Sequence, residues 1–180
     1  MILRKATEKD KEKVSLIYQK AKEGMKKAGI NQWQDGYPNE ESFLNDVEKG
    51  IAVVIEDENE VIATAAAYLG HEDTYDYIEN GKWITDNSAY GIIHRIAVLP
   101  NTRNRGIASK IFSYVDSLCL ENNIESSRCD THRDNKIMQH TLEKNGYVFC
   151  GIIYLKNGDE RFGYEKLMSR PYNVHHLSGE

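Results

Sequence analysis

The stretch Ile92-Ile-His-Arg-Ile-Ala-Val-Leu-Pro-Asn-Thr-Arg-Asn-Arg-Gly-Ile-Ala-Ser109 decides the fold. Its first half is a buried strand that begins near Tyr90 and stops at Pro100. Its middle is polar, and its end opens a helix predicted from about Arg105 to Asn122, with Ile107, Ile111, Val115 and Leu118 along one face. A helix start presents unpaired N–H groups and the positive end of the helix dipole, so it can hold a phosphate. Gly106 lets a ligand approach the backbone, Ala108 keeps the first turn small, and Arg103 and Arg105 add charge for a pyrophosphate or a 3′-phosphate. Neither GxxxxGK[ST] nor GxGxxG occurs, so this is not a Walker loop or a dinucleotide fingerprint.

Upstream, residues 2–6 read as a strand, and Thr7 with Asp10 behind it starts an amphipathic helix carrying Val14, Ile17, Ala21, Met25 and Ala28. Asn31–Pro38 is a loop by its Gly and Pro signals. Asn39 caps a second helix, with Glu40 and Glu41 in its first turn and Phe43, Leu44 and Val47 facing inward. Ile51–Glu56 and Val61–Leu69 form a hairpin, and residues 70–87 are a long polar excursion with interspersed aromatics. Downstream come a strand at Ile124–Cys129, a helix from Asp134 to Asn145 with Ile137, Met138, Thr141 and Leu142 inward, and a hairpin of Tyr147–Leu155 and Arg161–Leu167. The order β, α, α, β, β, β, α, β, α, β, β predicts an α/β domain, a mixed, mostly antiparallel sheet with helices on both faces. Residues 1–168 form one domain, and 169–180 are a polar tail.

Composition narrows the function classes. The 180 residues carry a net charge of −5, with no long basic run, which argues against a nucleic-acid partner. No apolar stretch reaches the roughly 20 residues of a membrane helix, and Met1-Ile-Leu-Arg-Lys leads straight into polar sequence without a signal peptide. Cys119, Cys129 and Cys150 are odd in number, far apart and in apolar contexts. They read as buried hydrophobes in a reduced, cytoplasmic protein, with no zinc site or disulfide suggested.

The pattern Arg103-x-x-Gly106-x-Ala108 resembles the acetyl-CoA pyrophosphate loop of the GCN5-related N-acetyltransferases (GNAT). Ala97-Val98-Leu99-Pro100 before it, Asn135 after the next strand, and Glu143-Lys-Asn-Gly-Tyr147 at the end of the last helix also fit that family, over residues 2–168. The resemblance implies a GNAT fold that binds acetyl-CoA as cosubstrate, without a metal, in a gap between the fourth and fifth strands. Backbone groups around Ile96, Ala97 and Val98 would pair with the pantetheine, those of Arg103, Asn104, Arg105, Gly106, Ile107 and Ala108 would hold the pyrophosphate, and Asn135 would contact the pantetheine arm. The reaction it implies is direct attack of a primary amine on the thioester. Homodimers are common in the family, which makes a homodimer a candidate assembly.

That reaction needs a base, because an alkylammonium must lose a proton before it attacks. His94 is the candidate: an imidazole has an ordinary pKa of about 6.5, and period two puts this one on the strand face of Ile96. It also matches a strand histidine of the arylalkylamine branch of the family. The tyrosine that many members use to protonate the leaving thiolate is replaced by Leu142, which leaves Tyr147, Tyr154 and His140 as substitutes. Asp130 or His132 could orient an amine or a water. Trp33, Tyr37 and Pro38, with Tyr75, Tyr77 and Trp83 of the excursion, are candidates to line the acceptor pocket, and Asp73, Asp76 and Glu79 to attract a cation. The expected acceptor is a small amine, with a peptide second. Two rivals stand beside this reading. One is a non-catalytic acyl-CoA-binding regulatory module. The other is a donor such as succinyl-CoA, which needs a basic pocket for its distal carboxylate.

Overall fold

The computed structural model of the chain describes residues 1–102 and 106–169. Its elements are β1 (Ile2–Lys5), α1 (Lys11–Lys27), α2 (Glu40–Glu48), β2 (Ala52–Asp57), β3 (Glu60–Gly70), β4 (Tyr90–Val98), α3 (Ile107–Glu121), β5 (Ser126–Thr131), α4 (Lys136–Lys144), β6 (Val148–Tyr154) and β7 (Glu160–Leu167). The strands make one sheet in the order β1-β2-β3-β4-β5-β7-β6. Only β4 and β5 are parallel, joined by the α3 crossover, and they pair at just two positions, Gly91 with Ser127 and Ile92 with Arg128.

Local chemistry sets the ends of these elements. The Thr7 N–H donates to Asp10 Oδ2 at 2.9 Å, and Arg4 forks onto the same carboxylate, tying β1 to the start of α1. Asn39 and Ser42 cap α2 reciprocally, at 2.9 and 2.8 Å. Glu58 and Asn59 both have positive φ, which matches a two-residue hairpin to the twist of β2 and β3. Gly146 takes φ +91° to end α4 and turn the chain into β6.

Helices cover both faces. On one, Val14, Ile17, Tyr18 and Phe43 of α1 and α2 pack on Val54, Val61 and Ala97. On the other, Ile107, Ile111, Phe112 and Val115 of α3, with Leu142 of α4, pack on Val53, Ala63, Ile93 and Tyr164. Burying each such aliphatic contributes about 1.5–3 kcal/mol. All three cysteines are buried and free. No helix among the described residues is long and apolar enough to cross a membrane.

Three expectations need correction. β5 begins at Ser126, because Ile124 donates its N–H to Cys119 O and closes the end of α3. Ile137 is 66% exposed: Met138 and Leu142 form the inward stripe, and a neighbouring position lies roughly 100° round the helix. Ala28 follows the last turn of α1 and is exposed.

The segment after β3 is held by its aromatics. Trp83 donates to Tyr75 O at 2.7 Å and lies against the Arg128 guanidinium, which is also 4.4 Å from the Trp83 ring centre and 4.2 Å from that of Tyr90. Tyr75 and Trp83 therefore anchor the excursion and do not line an acceptor pocket, while Tyr77 is exposed beside Tyr154.

Candidate active site

β4 carries a bulge where the site is built. Its pairing with β3 shifts from Ala66–His94 to Thr64–Ala97, so Arg95 and Ile96 together face Ala65, and Arg95 takes φ +53°. The extra residue breaks the period-two alternation. His94 meets the Tyr68 and Tyr75 rings, whereas Ile96 packs with the α3 cluster on the other face. The expectation that His94 and Ile96 share a face is thereby overturned. Arg95 swings towards α2 instead, forks onto Asp46 with two bonds of 2.7 Å, and donates to the Tyr37 hydroxyl at 2.7 Å.

Beyond Ile92 the β4–β5 ladder ends, and the Cys129 thiol reaches the Ile93 carbonyl at 3.5 Å. A cavity of about 600 Å³ opens there. Trp33, Tyr37, His94, Ile96 and Asn135 are among the residues that line it. Ala97 turns instead into the α1–α2 cluster, and Val98 packs towards α3, which leaves only their backbone for a ligand in the gap. His132 does not line the cavity: Asp134 N–H donates to its Nδ1 at 3.1 Å, and burial together with Arg161 lowers its pKa.

At the other end of the gap, Gly106 precedes α3 with φ +68°, a conformation that favours glycine, and nothing lies within 4 Å of where a Cβ would stand. Ile107 is buried and Ala108 half-buried beside it. Arg103, Asn104 and Arg105 lie outside the described residues, as does the tail from residue 170.

His94 sits between two carboxylates. Its Nε2 is 3.0 Å from Glu72 Oε2, and its Nδ1 is 3.9 Å from Asp130 Oδ2. An ionised carboxylate only accepts, so Nε2 carries the hydrogen and the lone pair of the neutral ring is at Nδ1. The bond from His94 holds the Glu72 carboxyl below the usual carboxylate range. Tyr75 donates to Asp130 Oδ2 at 2.6 Å, and burial pushes its hydroxyl well above the usual tyrosine range, so it stays protonated.

Neighbouring polar groups complete the wall. Asn135 caps α4 through Oδ1, accepting from Met138 N–H at 3.1 Å, and donates from Nδ2 to Gln32 Oε1 at 2.9 Å. Thr131 Oγ1 is buried without a hydrogen-bond partner and belongs to a cavity-lining residue. None of the three substitute acids lines the cavity. Tyr147 is buried against Ser127 and Phe112, Tyr154 bonds Glu79, and His140 is exposed on α4. Asp73, Asp76 and Glu79 also point elsewhere, the first two to His71. Glu72 and Gln32 escaped the sequence reading because both sit in loops whose partners lie far along the chain.

The Acetyltransferase (GNAT) family model matches residues 15–147. A GNAT-family acetyltransferase structure from Streptococcus agalactiae is 34% identical, with a TM-score of 0.84 over 94% of this chain and 96% of that one. A putative acetyltransferase from Staphylococcus aureus is 22% identical (TM-score 0.70, 94% and 100% covered), and the PaiA N-acetyltransferase from Thermoplasma acidophilum, solved in complex with coenzyme A, is 16% identical (TM-score 0.67, 92% and 98% covered). These two share the fold. No curated protein matches the sequence. The chain belongs to the GNAT acetyltransferase family.

Proposed function

We propose that this chain moves the acetyl group of acetyl-CoA to a primary amine by direct attack within a ternary complex, with His94 as the base. The observation that carries the reading is the His94 imidazole, fixed by Glu72 through Nε2 with Nδ1 left towards the cavity beside Asp130.

The residues fit acetyl-CoA. The parted β4–β5 edge leaves backbone groups for a pantetheine arm, and Gly106 leaves room at the α3 N-terminus for a phosphate.

An incoming alkylammonium is attracted by Glu72 and Asp130. His94 Nδ1 takes one proton, directly or through a water, and Glu72 stabilises the imidazolium. The free amine attacks the thioester carbon, the C–S bond breaks, the sulfur leaves as thiolate, and the nitrogen gives its second proton to water or to that thiolate, which leaves a neutral amide. A thiol has a pKa near 8.5 against about 10.4 for an alkylamine, so the thiolate is much the better leaving group. No side chain is required to protonate it. A cavity of about 600 Å³ is the size of a small-molecule site, which favours a small amine over a protein.

Titration calorimetry with acetyl-CoA tests the first half. One-site micromolar binding, weakened by Arg103→Ala, is expected; no binding up to millimolar acetyl-CoA overturns the reading. Thiol release that appears only with an amine tests the second half and separates an enzyme from a binding module.

A further inference from the structure

Four of the five described arginines have a carboxylate partner: Arg4 with Asp10, Arg95 with Asp46, Arg128 with Glu165 and Arg133 with Glu160. Arg161 is the exception. It is only 7% exposed and lines the cavity, yet no carboxylate among the described residues lies within 4.0 Å of its guanidinium. Among the described residues its guanidinium has one hydrogen bond, from Nη1 to the neighbouring Glu160 carbonyl, at 2.7 Å. Asp159 shares the cavity wall, but its carboxylate accepts from Asn157 Nδ2 at 3.0 Å. Lys156, at the same hairpin, adds a second positive charge to that wall. A buried guanidinium without a counter-ion is costly, and an anion that fills the place is held strongly.

The register locates this charge relative to the base. Asp130 pairs with Gly163 and Thr131 with Phe162, so Arg161 lies on the sheet face of Asp130, along the diagonal. Side chains on such a diagonal start about 7–8 Å apart. The cavity wall thus carries both signs: Glu72 and Asp130 beside His94, and Arg161 and Lys156, with Asp159, at the β6–β7 hairpin end.

We propose that Arg161 is the seat for a carboxylate of the acceptor. The acceptor is then an amino carboxylate, its amine at the Glu72–His94–Asp130 cluster and its carboxylate on Arg161, the two groups a few bonds apart. This inference rests on the acetyl-transfer reading and names the acceptor class within it.

The test is thiol release from acetyl-CoA with a panel of amino acids, each assayed beside its primary amide and the amine lacking the carboxyl group. Wild type is expected to favour the acid at least about tenfold in kcat/KM, the size of one charge-assisted hydrogen bond. Arg161→Gln is expected to erase that ratio, mainly through KM, and Arg161→Lys to keep part of it. Equal use of acid and amide by wild type overturns the proposal, as does a ratio unchanged in Arg161→Gln. A loss confined to succinyl-CoA, compared with acetyl-CoA and one fixed amine, also overturns it, because the carboxylate then belongs to the donor. If Arg161→Gln does not fold, the wild-type ratio and Arg161→Lys decide. If no amine releases thiol, the acetyl-transfer reading fails by itself. Calorimetry of the coenzyme A-saturated protein with the same pairs then judges Arg161: acid binding at least tenfold weaker in Arg161→Gln supports the seat, and no preference for acid over amide overturns it.

Discussion

His94 and Glu72 stand 22 positions apart in the chain and meet at 3.0 Å, imidazole Nε2 to carboxylate Oε2. That contact fixes the ring, and with it the atom available for proton transfer. His94→Ala is therefore expected to lower kcat on the order of a hundredfold, the usual yield of a positioned base. Acetyl-CoA affinity, read by calorimetry, should hardly move, since the imidazole lies beside the gap and outside the α3 end. A variant whose turnover matches wild type from about pH 6 to 9, across the imidazole range, removes the base assignment.

Glu72 adds a pH signature. Its carboxyl is held below the usual range by the bond from His94, so the ionised form is favoured in the folded state. The stabilisation it contributes is fully present above the unfolded carboxylate pKa, about 4.3, and is lost as pH falls through the lower folded value. Urea unfolding of wild type and Glu72→Gln should then give a free-energy gap that is constant above about pH 5.5 and narrows below about pH 4. A gap that widens as pH falls below about 4 contradicts the lowered carboxyl. Glutamine can still accept from Nε2, so its kcat should fall less than that of His94→Ala.

The sheet and helix order were legible because glycines, caps and apolar periods act over short distances. Tyr90–Val98 is apolar almost throughout, and Gly106 stands where α3 must start. The site was harder. The bulge at Arg95 has no glycine to announce it, so an unbroken period of two misassigned the face of Ile96. Glu72, Gln32 and Arg161 reach the cavity from two loops and a strand that only the tertiary fold brings together. Likewise the two tryptophans looked alike in sequence, yet Trp83 of the excursion is an anchor on Arg128 while Trp33, in the loop after α1, lines the cavity.

Arg95 and Asp46 join the bulge to α2. The pair is largely buried and bidentate, at 2.7 Å on both branches. Asp46→Ala leaves the guanidinium inside without its partner, which typically costs about 3–5 kcal/mol. The same guanidinium holds the Tyr37 hydroxyl, so a rise in KM for the amine should accompany the loss of stability. Urea titration and acceptor kinetics on one preparation check both. A stable variant with unchanged KM separates the pair from the cavity wall.

Glu165 gives the sharpest stability contrast. It is fully buried, pairs with Arg128 Nε at 3.1 Å, and accepts from Ser126 Oγ, Thr85 Oγ1 and the Ile84 N–H. One carboxylate thus neutralises a cation that is itself 4% exposed and fastens the excursion to β5 and β7. Glu165→Leu strands the Arg128 charge and four donors at once, the Thr85 N–H being the fourth, so a loss of about 3–5 kcal/mol is expected, with faster proteolysis within residues 79–89. Adding Arg128→Met removes the stranded charge and should restore part of the loss. Lys13–Glu60 is the control: both side chains are at least half exposed, and Lys13→Ala should cost no more than about 1 kcal/mol. If Glu165→Leu proves as mild as Lys13→Ala, the network does not hold the excursion, and the placement of Glu72 beside His94 must depend on other contacts, the Tyr75–Asp130 bond and the Glu72 N–H donated to the Tyr90 hydroxyl among them.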